Sequence, residues 1–541
     1  MTTVMSFSHP EDDNPVHSYA YLTHYSLFIG EECNFKFKLR VGRLIKVVGI
    51  HEIWQDELLK QQHHQAIMPP PIRRAGTAHR TNNHCRVLLP AVSPFITFVV
   101  IVATVWLYML SSYSPPSSIL SLPPSSKRYP LRASSTMEKS PTSSIRQDEV
   151  FDRTYDNCIV GSGLSGSTIA QQYAALNQTC LVIEKRSHIG GNCYDYIDDE
   201  TTIRVSLYGA HLFHTNSERV WEYVHRFGEW VNYEHRVLGK VEGKYVPIPV
   251  NIDTVNALFD LNIQNEEEMN EWLAKEQVKF SDSNGNVREA QNSEEVALAR
   301  VGPRLYELIF HPYTLKQWDK EPSDLGPEVL SRIPVRNNRD GRYFSDNYQA
   351  LPKEGYTSII QNMLDSPLIT VVTDTDYFRV KDRIRCRRLY YTGPIDAYFN
   401  HLGWPKLEYR SLSFERAVQH NTQYFQPAAV VNHPQRRDHE SGQEVDYTRI
   451  VEYKHFLNQT SDHTVYFIER STDEGEPYYP VPNAKNKELY KRYQEMARKE
   501  EGVRFVGRLA NYKYFNMDEA ILNALEVVDE DTGRIEKDVN R

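Results

Sequence analysis

Cysteine is scarce in this chain. There are six in 541 residues, Cys33, Cys85, Cys158, Cys180, Cys193 and Cys386, with no CxxC pair and no metal-ligand spacing. That pattern indicates neither a zinc site nor a disulfide framework, so no metal is expected. An excess of positive charge is missing too. The formal net charge is −9, without the basic stripe that a nucleic-acid partner demands, so acidic ligands have to be met by local Arg and Lys. No internal repeat marks a solenoid or propeller.

One long uncharged run is present at 91–110, including Phe95-Ile96-Thr97-Phe98-Val99-Val100-Ile101-Val102-Ala103. A stretch of about 20 apolar residues spans a bilayer core of about 30 Å. Arg73, Arg74, Arg80 and Arg86 precede it, with no acid between Pro69 and Leu88, and the next basic residues after it are Lys127 and Arg128. The positive-inside rule then places the N-terminus in the cytoplasm and the chain that follows the run in the lumen of the Golgi or endoplasmic reticulum. The alternative is a cleaved targeting segment for an organelle, because the stretch from Ser111 to Ser144 is rich in Ser and Pro and nearly free of acids. Residues 1–68 show no periodicity, and a start at Met68 would leave a compact flank.

The most informative segment begins at Tyr155-Asp156-Asn157-Cys158-Ile159-Val160 and runs into Gly161-Ser162-Gly163-Leu164-Ser165-Gly166. A helical run follows, then Thr179-Cys180-Leu181-Val182-Ile183 delivers Glu184. Strand, glycine turn, helix, strand and acid make a dinucleotide-binding βαβ unit. Gly161 allows the tight turn, Gly163 lets backbone approach a pyrophosphate, Gly166 lets helix and strand pack closely, and Glu184 accepts from a ribose hydroxyl. The phosphates would sit on the helix N-terminus, where unpaired amides favour negative charge. Lys185-Arg186-Ser187-His188-Ile189-Gly190-Gly191-Asn192 adds a basic pair and a second glycine turn, a pattern closer to FAD proteins than to NAD enzymes. FAD is the expected cofactor.

The remaining chain divides by pattern. Residues 253–325 are rich in Glu, Lys and Leu at helical spacing and predict an inserted helical domain. Arg388-Leu389-Tyr390-Tyr391-Thr392-Gly393-Pro394 and Val503-Arg504-Phe505-Val506-Gly507-Arg508 read as strands, with a helix over about 518–527, so the C-terminus returns to the dinucleotide sheet. Residues 435–444 read as a surface loop. The expected class is α/β: a Rossmann-like FAD-binding domain from about 154–250 and 485–528, the helical insert, an antiparallel sheet and substrate region over 330–484, and a polar tail at 529–541. Residues 1–150 form the membrane-anchor or targeting region.

Further segments carry a resemblance: Tyr208-Gly209-Ala210-His211-Leu212-Phe213-His214-Thr215, Tyr313-Thr314-Leu315-Lys316-Gln317-Trp318, Arg332-Ile333-Pro334-Val335-Arg336, Tyr343-Phe344-Ser345-Asp346, Tyr447-Thr448-Arg449, Glu476-Pro477-Tyr478-Tyr479-Pro480 and Gly507-Arg508-Leu509-Ala510 before Tyr512-Lys513-Tyr514. In this order they resemble the bacterial-type UDP-galactopyranose mutase family. The resemblance implies an isomerase that interconverts UDP-galactopyranose and UDP-galactofuranose, supplying galactofuranose for cell-wall or glycan synthesis. Reduced flavin N5 would form a covalent adduct with the anomeric carbon, with no net redox, and NADPH or NADH would be the reductant.

By motif position, Arg332 and Arg449 would clamp the diphosphate, and Tyr343, Tyr479 and Tyr514 would donate hydrogen bonds to it. Tyr313 would stack on uracil beside Phe310, and Trp318 would wall the sugar on a loop that closes. His211 and His214 would lie against the flavin ring, with His214 setting the state of N5. Arg508 would meet the flavin pyrophosphate beside Gly161, Gly163, Gly166, Glu184, Lys185, Gly191 and Asn192, and Arg336 would brace the Arg332 loop. Asn516 stands where the family often has an acid, Cys193 where a small apolar residue is common, and Asp319 where glycine is expected. The resemblance also implies a homodimer. Two rival readings remain: an FAD-dependent oxidoreductase of the amine oxidase or desaturase type, and a catalytically silent nucleotide-sugar-binding protein.

Overall fold

The computed structural model describes residues 147–534, and the apolar run at 91–110 lies outside them. Five parallel strands form the dinucleotide sheet, in spatial order Ile369–Val372, Cys180–Ile183, Thr154–Val160, Arg385–Tyr391 and Val503–Phe505. Every residue of Cys180–Ile183 is buried, which a continuous apolar run achieves in a parallel sheet covered on both faces. Helix Leu164–Ala174 packs on this sheet and on helix Met517–Thr532 near the C-terminus.

A second sheet has seven strands, ordered Tyr479–Pro480, Tyr409–Gln419, Thr464–Thr472, Arg449–Glu452, Val430–Asn432, Val237–Val241 and Lys244–Ile248. It departs from the sequence expectation in two ways. Val430–Asn432 runs parallel to Val237–Val241, so the sheet is mixed, and two of its strands come from the stretch assigned to the FAD-binding part. Conversely, Ile369–Val372 and Arg385–Tyr391 leave the expected substrate region and join the dinucleotide sheet. Strand pairing across hundreds of residues is set by which apolar faces meet, and local pattern does not encode that.

Helices Ile252–Phe259, Glu266–Glu276, Ser293–Leu305 and His311–Trp318 form the helical part. Its helix starts are written in asparagine. The side chains of Asn251, Asn265 and Asn292 accept from the amides of Thr254 (3.0 Å), Glu268 (3.0 Å) and Glu295 (2.9 Å), each satisfying a donor with no helical partner. Gly302 and Pro303 break the third helix, and a wide turn at Tyr306–Phe310 feeds His311–Trp318. That helix docks on strand Thr464–Thr472, where Gln317 O accepts from Ser471 Oγ at 2.5 Å.

Candidate active site

One cavity of about 650 Å³ runs from the glycine turn after the first strand to a compartment walled by arginine and tyrosine. At its dinucleotide end Gly161 has φ +101°, and a Cβ on Gly166 would lie 2.0 Å from the Gly161 carbonyl oxygen. Only glycine lets the helix start this close to the strand. The second glycine turn folds back, so that a Cβ on Gly191 would meet Gly163 Cα at 2.9 Å. Glu184 ends the second strand, buried, with Oε2 accepting from Ser162 N (2.9 Å) and Oγ (2.8 Å) and Oε1 from Arg186 N (3.0 Å). Asn192 Oδ1 accepts from Arg186 Nη2 at 3.0 Å. Lys185 also lines the cavity, but its ammonium is tied to Glu476 at 2.8 Å on the surface.

Arg508 follows Gly507 at the end of the last strand and gives Nη1 to Phe515 O at 3.1 Å. Its Nε and Nη2 are buried and have no hydrogen-bond partner among the described residues. Orphaned guanidinium donors beside a glycine turn suit an anionic ligand such as a pyrophosphate. The Arg508 guanidinium also lies 4.3 Å from the Tyr514 ring centre, as does that of Arg332, and Tyr514 stacks on Tyr479 with centroids 5.5 Å apart. Burial works to raise the Tyr514 hydroxyl, yet Arg332 and Arg508 outweigh it and hold its pKa below the usual phenol value.

Arg449 opens strand Arg449–Glu452 and donates Nε to Glu469 Oε2 at 2.5 Å. Glu469 is 1% exposed, and its Oε1 has no partner among the described residues. Phe310, Tyr313, Tyr343 and Trp318 line the same compartment. Burial pushes the Tyr313 hydroxyl well up, so it stays a neutral phenol that keeps its proton to donate. Trp318 is corrected: it ends a helix, is 4% exposed, and lies 6.2 Å from the Tyr479 ring, so it is a packed wall rather than part of a loose loop. Asn516 is exposed at the start of helix Met517–Thr532, where its amide donates to Glu519 Oε2 at 2.8 Å, and it lines the cavity rim. Arg336 gives Nη2 to Arg342 O at 2.9 Å outside the cavity.

Three histidines meet between the two ends. His211 bonds Gly209 O through Nδ1 at 2.9 Å, and His214 pairs Nδ1 with Asp346 Oδ2 at 3.0 Å while stacking 3.7 Å from Phe344. With an acceptor on Nδ1, the neutral form of either ring leaves Nε2 as an acceptor. His235, which sequence reasoning missed, is 4% exposed and also lines the cavity. It carries no motif signal, since it reaches the site only through the pairing of its neighbours. Burial, with nearby arginines adding, lowers His211 to about 4, and burial with Arg449 and His214 lowers His235 to about 3. Cys193, buried beside the second glycine turn, is pushed up to about 12 by desolvation and is an inert thiol.

His211 and His235 set a pH limit on stability. Unfolded imidazole titrates near 6.5, the folded ones near 3 and 4, so above pH 6.5 neither state binds the protons and stability is full. As pH falls toward 4 only the unfolded chain takes them up, and each group removes up to about 1.4 kcal/mol per pH unit. Tm should therefore drop steeply from pH 7 to pH 5. A flat melting profile across that range would contradict the buried neutral imidazoles.

Fold and cavity together define a Rossmann-like dinucleotide-binding protein with a second, anion-gripping compartment. Residues 159–227 match the NAD(P)-binding Rossmann-like domain and residues 308–514 match the family described as UDP-galactopyranose mutase. The chain is 37% identical to the probable UDP-galactopyranose mutase of Klebsiella pneumoniae, over 69% of this chain and 93% of the relative. It is 35% identical to the dTDP-fucopyranose mutase of Escherichia coli (68% and 96%) and 31% identical to the UDP-galactopyranose mutase of Mycoplasma genitalium (69% and 94%). The chain belongs to the UDP-galactopyranose mutase family. A crystal structure of reduced UDP-galactopyranose mutase shares its fold, with a TM-score of 0.56 at 16% identity over 71% of this chain and 97% of that one.

The expected membrane-anchored placement with a luminal catalytic part is overturned. Among the described residues no helix is long and apolar enough to cross a membrane, and the matched relatives are bacterial proteins aligned to about two thirds of this chain.

Proposed function

We propose that this chain interconverts UDP-galactopyranose and UDP-galactofuranose with FAD as its resident cofactor and without net redox. The observation that carries the reading is the junction of the two compartments. Arg508, with two orphaned donors, touches the same tyrosine as Arg332, so a flavin pyrophosphate and a substrate diphosphate would be gripped side by side. The glycine turn, Glu184 and Arg508 fit FAD by their chemistry. When bound and reduced by NADPH or NADH, FAD supplies the nucleophile for the anomeric carbon.

The chain's own groups then have separable tasks. Arg449, held by buried Glu469, and Arg332 would stabilise charge that builds on UDP as its bond to the sugar breaks. Tyr343, Tyr479 and Tyr514 offer hydroxyl donors, and Phe310, Tyr313 and Trp318 offer an apolar wall for uracil and for excluding water. His214 would accept or hold a proton at Nε2, since Asp346 fixes its Nδ1. Asn516 keeps hydrogen bonding at the rim without adding negative charge. An oxidase or desaturase would have no use for this Arg and Tyr set, and a silent binding protein would have no use for the glycine turn.

Incubating dithionite-reduced protein with UDP-galactofuranose and separating the products by chromatography tests the proposal. UDP-galactopyranose should accumulate, with no oxidant consumed. Failure of the reduced protein to convert it, or equal rates for air-oxidised protein, would refute the reading.

A further inference from the structure

Lys316 lies on helix His311–Trp318 between Tyr313 and Trp318, and no role above uses it. Its ammonium is enclosed by backbone carbonyls. Nζ donates to Tyr447 O at 2.8 Å, to Gln435 O at 3.0 Å and to His433 O, with Val445 O at 3.4 Å. These carbonyls sit on both arms of the hairpin that leaves strand Val430–Asn432 and returns as Arg449–Glu452. His433 and Gln435 are on the outgoing arm, Val445 and Tyr447 on the returning one. The arms are themselves joined, His433 N to Thr448 O at 2.8 Å and Val445 N to Arg436 O at 2.8 Å. Tyr447 stands two residues before Arg449. One side chain from the helix of Tyr313 and Trp318 therefore closes the base of the hairpin that delivers Arg449.

Packing alone would not call for an ammonium here. Removing a charge from water is expensive unless hydrogen bonds replace the lost shell, and an apolar side chain would fill the space without that cost. Burial pushes the Lys316 amine down to about 7, with Asp446 opposing and Arg436 adding. What the amine contributes is direction: N–H groups aimed at fixed carbonyls on both arms set the hairpin's register against the helix.

We propose that Lys316 is a positioning residue for the substrate clamp, locking the Arg449 hairpin to the helix of Tyr313 and Trp318 so that nucleotide and diphosphate are held in one geometry. The proposal rests on the function given above. Its test is Lys316→Met in reduced holoenzyme, with UDP titration beside steady-state kinetics. The Kd for UDP should rise about tenfold and kcat/KM should fall by at least about tenfold, with kcat lowered as well, since a displaced Arg449 is lost to the bound diphosphate and to the charge that develops on it. Lys316→Arg should recover most of the affinity, and flavin content should hold. In an Arg449→Ala background the same change should weaken UDP by less than about twofold, because the group it positions is gone.

Wild-type affinity in Lys316→Met, or a full tenfold loss repeated in the Arg449→Ala background, would overturn the proposal. Should Lys316→Met fail to fold, Lys316→Gln in the same cycle decides it. Should wild-type enzyme bind UDP but not convert UDP-galactofuranose, the proposed function falls while the UDP titrations still judge Lys316.

Discussion

Replacing Arg449 with alanine is expected to lower kcat/KM by at least about 10², or about 2.7 kcal/mol of transition-state stabilisation. The guanidinium would bond the diphosphate most strongly as charge develops on it, and alanine supplies nothing there. The same change should also lower Tm, for a different reason. Glu469 is 1% exposed, its Oε1 lacks a partner among the described residues, and its Oε2 bonds Arg449 Nε at 2.5 Å. Removing one partner of a fully buried ion pair costs on the order of 3–5 kcal/mol because the other charge is left uncompensated, and here, with the Arg449 side chain 26% exposed to the cavity, the loss should be smaller. The two effects separate in the double variant Arg449→Ala with Glu469→Gln, which should regain thermal stability and stay inactive. Arg332, which donates Nε to Val329 O at 3.3 Å and lies 4.3 Å from the Tyr514 ring centre, should show the kinetic loss on change to alanine with a smaller drop in Tm than Arg449→Ala, because it leaves no buried carboxylate unpaired. Wild-type kinetics in Arg449→Ala would remove that residue from the site.

Gly166→Ala should weaken FAD retention about ten- to a hundredfold. The new Cβ would lie 2.0 Å from the Gly161 carbonyl oxygen and 3.1 Å from Ile159 Cγ2, so the helix must back away from the strand. Overpacking of this kind costs about 1–3 kcal/mol, and every 1.4 kcal/mol is about tenfold in affinity. The displaced helix N-terminus would take its amides away from the phosphates. Gly163→Ala is the informative partner, because its Cβ meets nothing in the protein closer than Gly191 Cα at 3.8 Å. A folded Gly163→Ala protein that loses flavin would show that the cofactor itself approaches this backbone. Flavin absorbance per chain after gel filtration reads both variants, and full flavin occupancy in Gly166→Ala would refute the close-packing argument.

The sequence by itself determined the strand, glycine turn, helix and acidic stop of residues 154–184, because each depends on neighbours a few positions away. A positive φ needs glycine, and CLVI makes a buried parallel strand. It also held the residue types that line the cavity, through short ordered motifs. Tertiary structure alone decided which strands share a sheet, sending 369–391 to the dinucleotide sheet and 237–248 to the other. It alone brought His235 into the cavity, tied Lys185 to Glu476, turned Trp318 into a buried helix end, and set Glu469 behind Arg449 and Lys316 beneath its hairpin. Lys185 and Glu476 are 291 residues apart, and Lys316 and Tyr447 are 131. Pairings at such separations are chosen by the packing of whole apolar faces, which no local window of sequence contains.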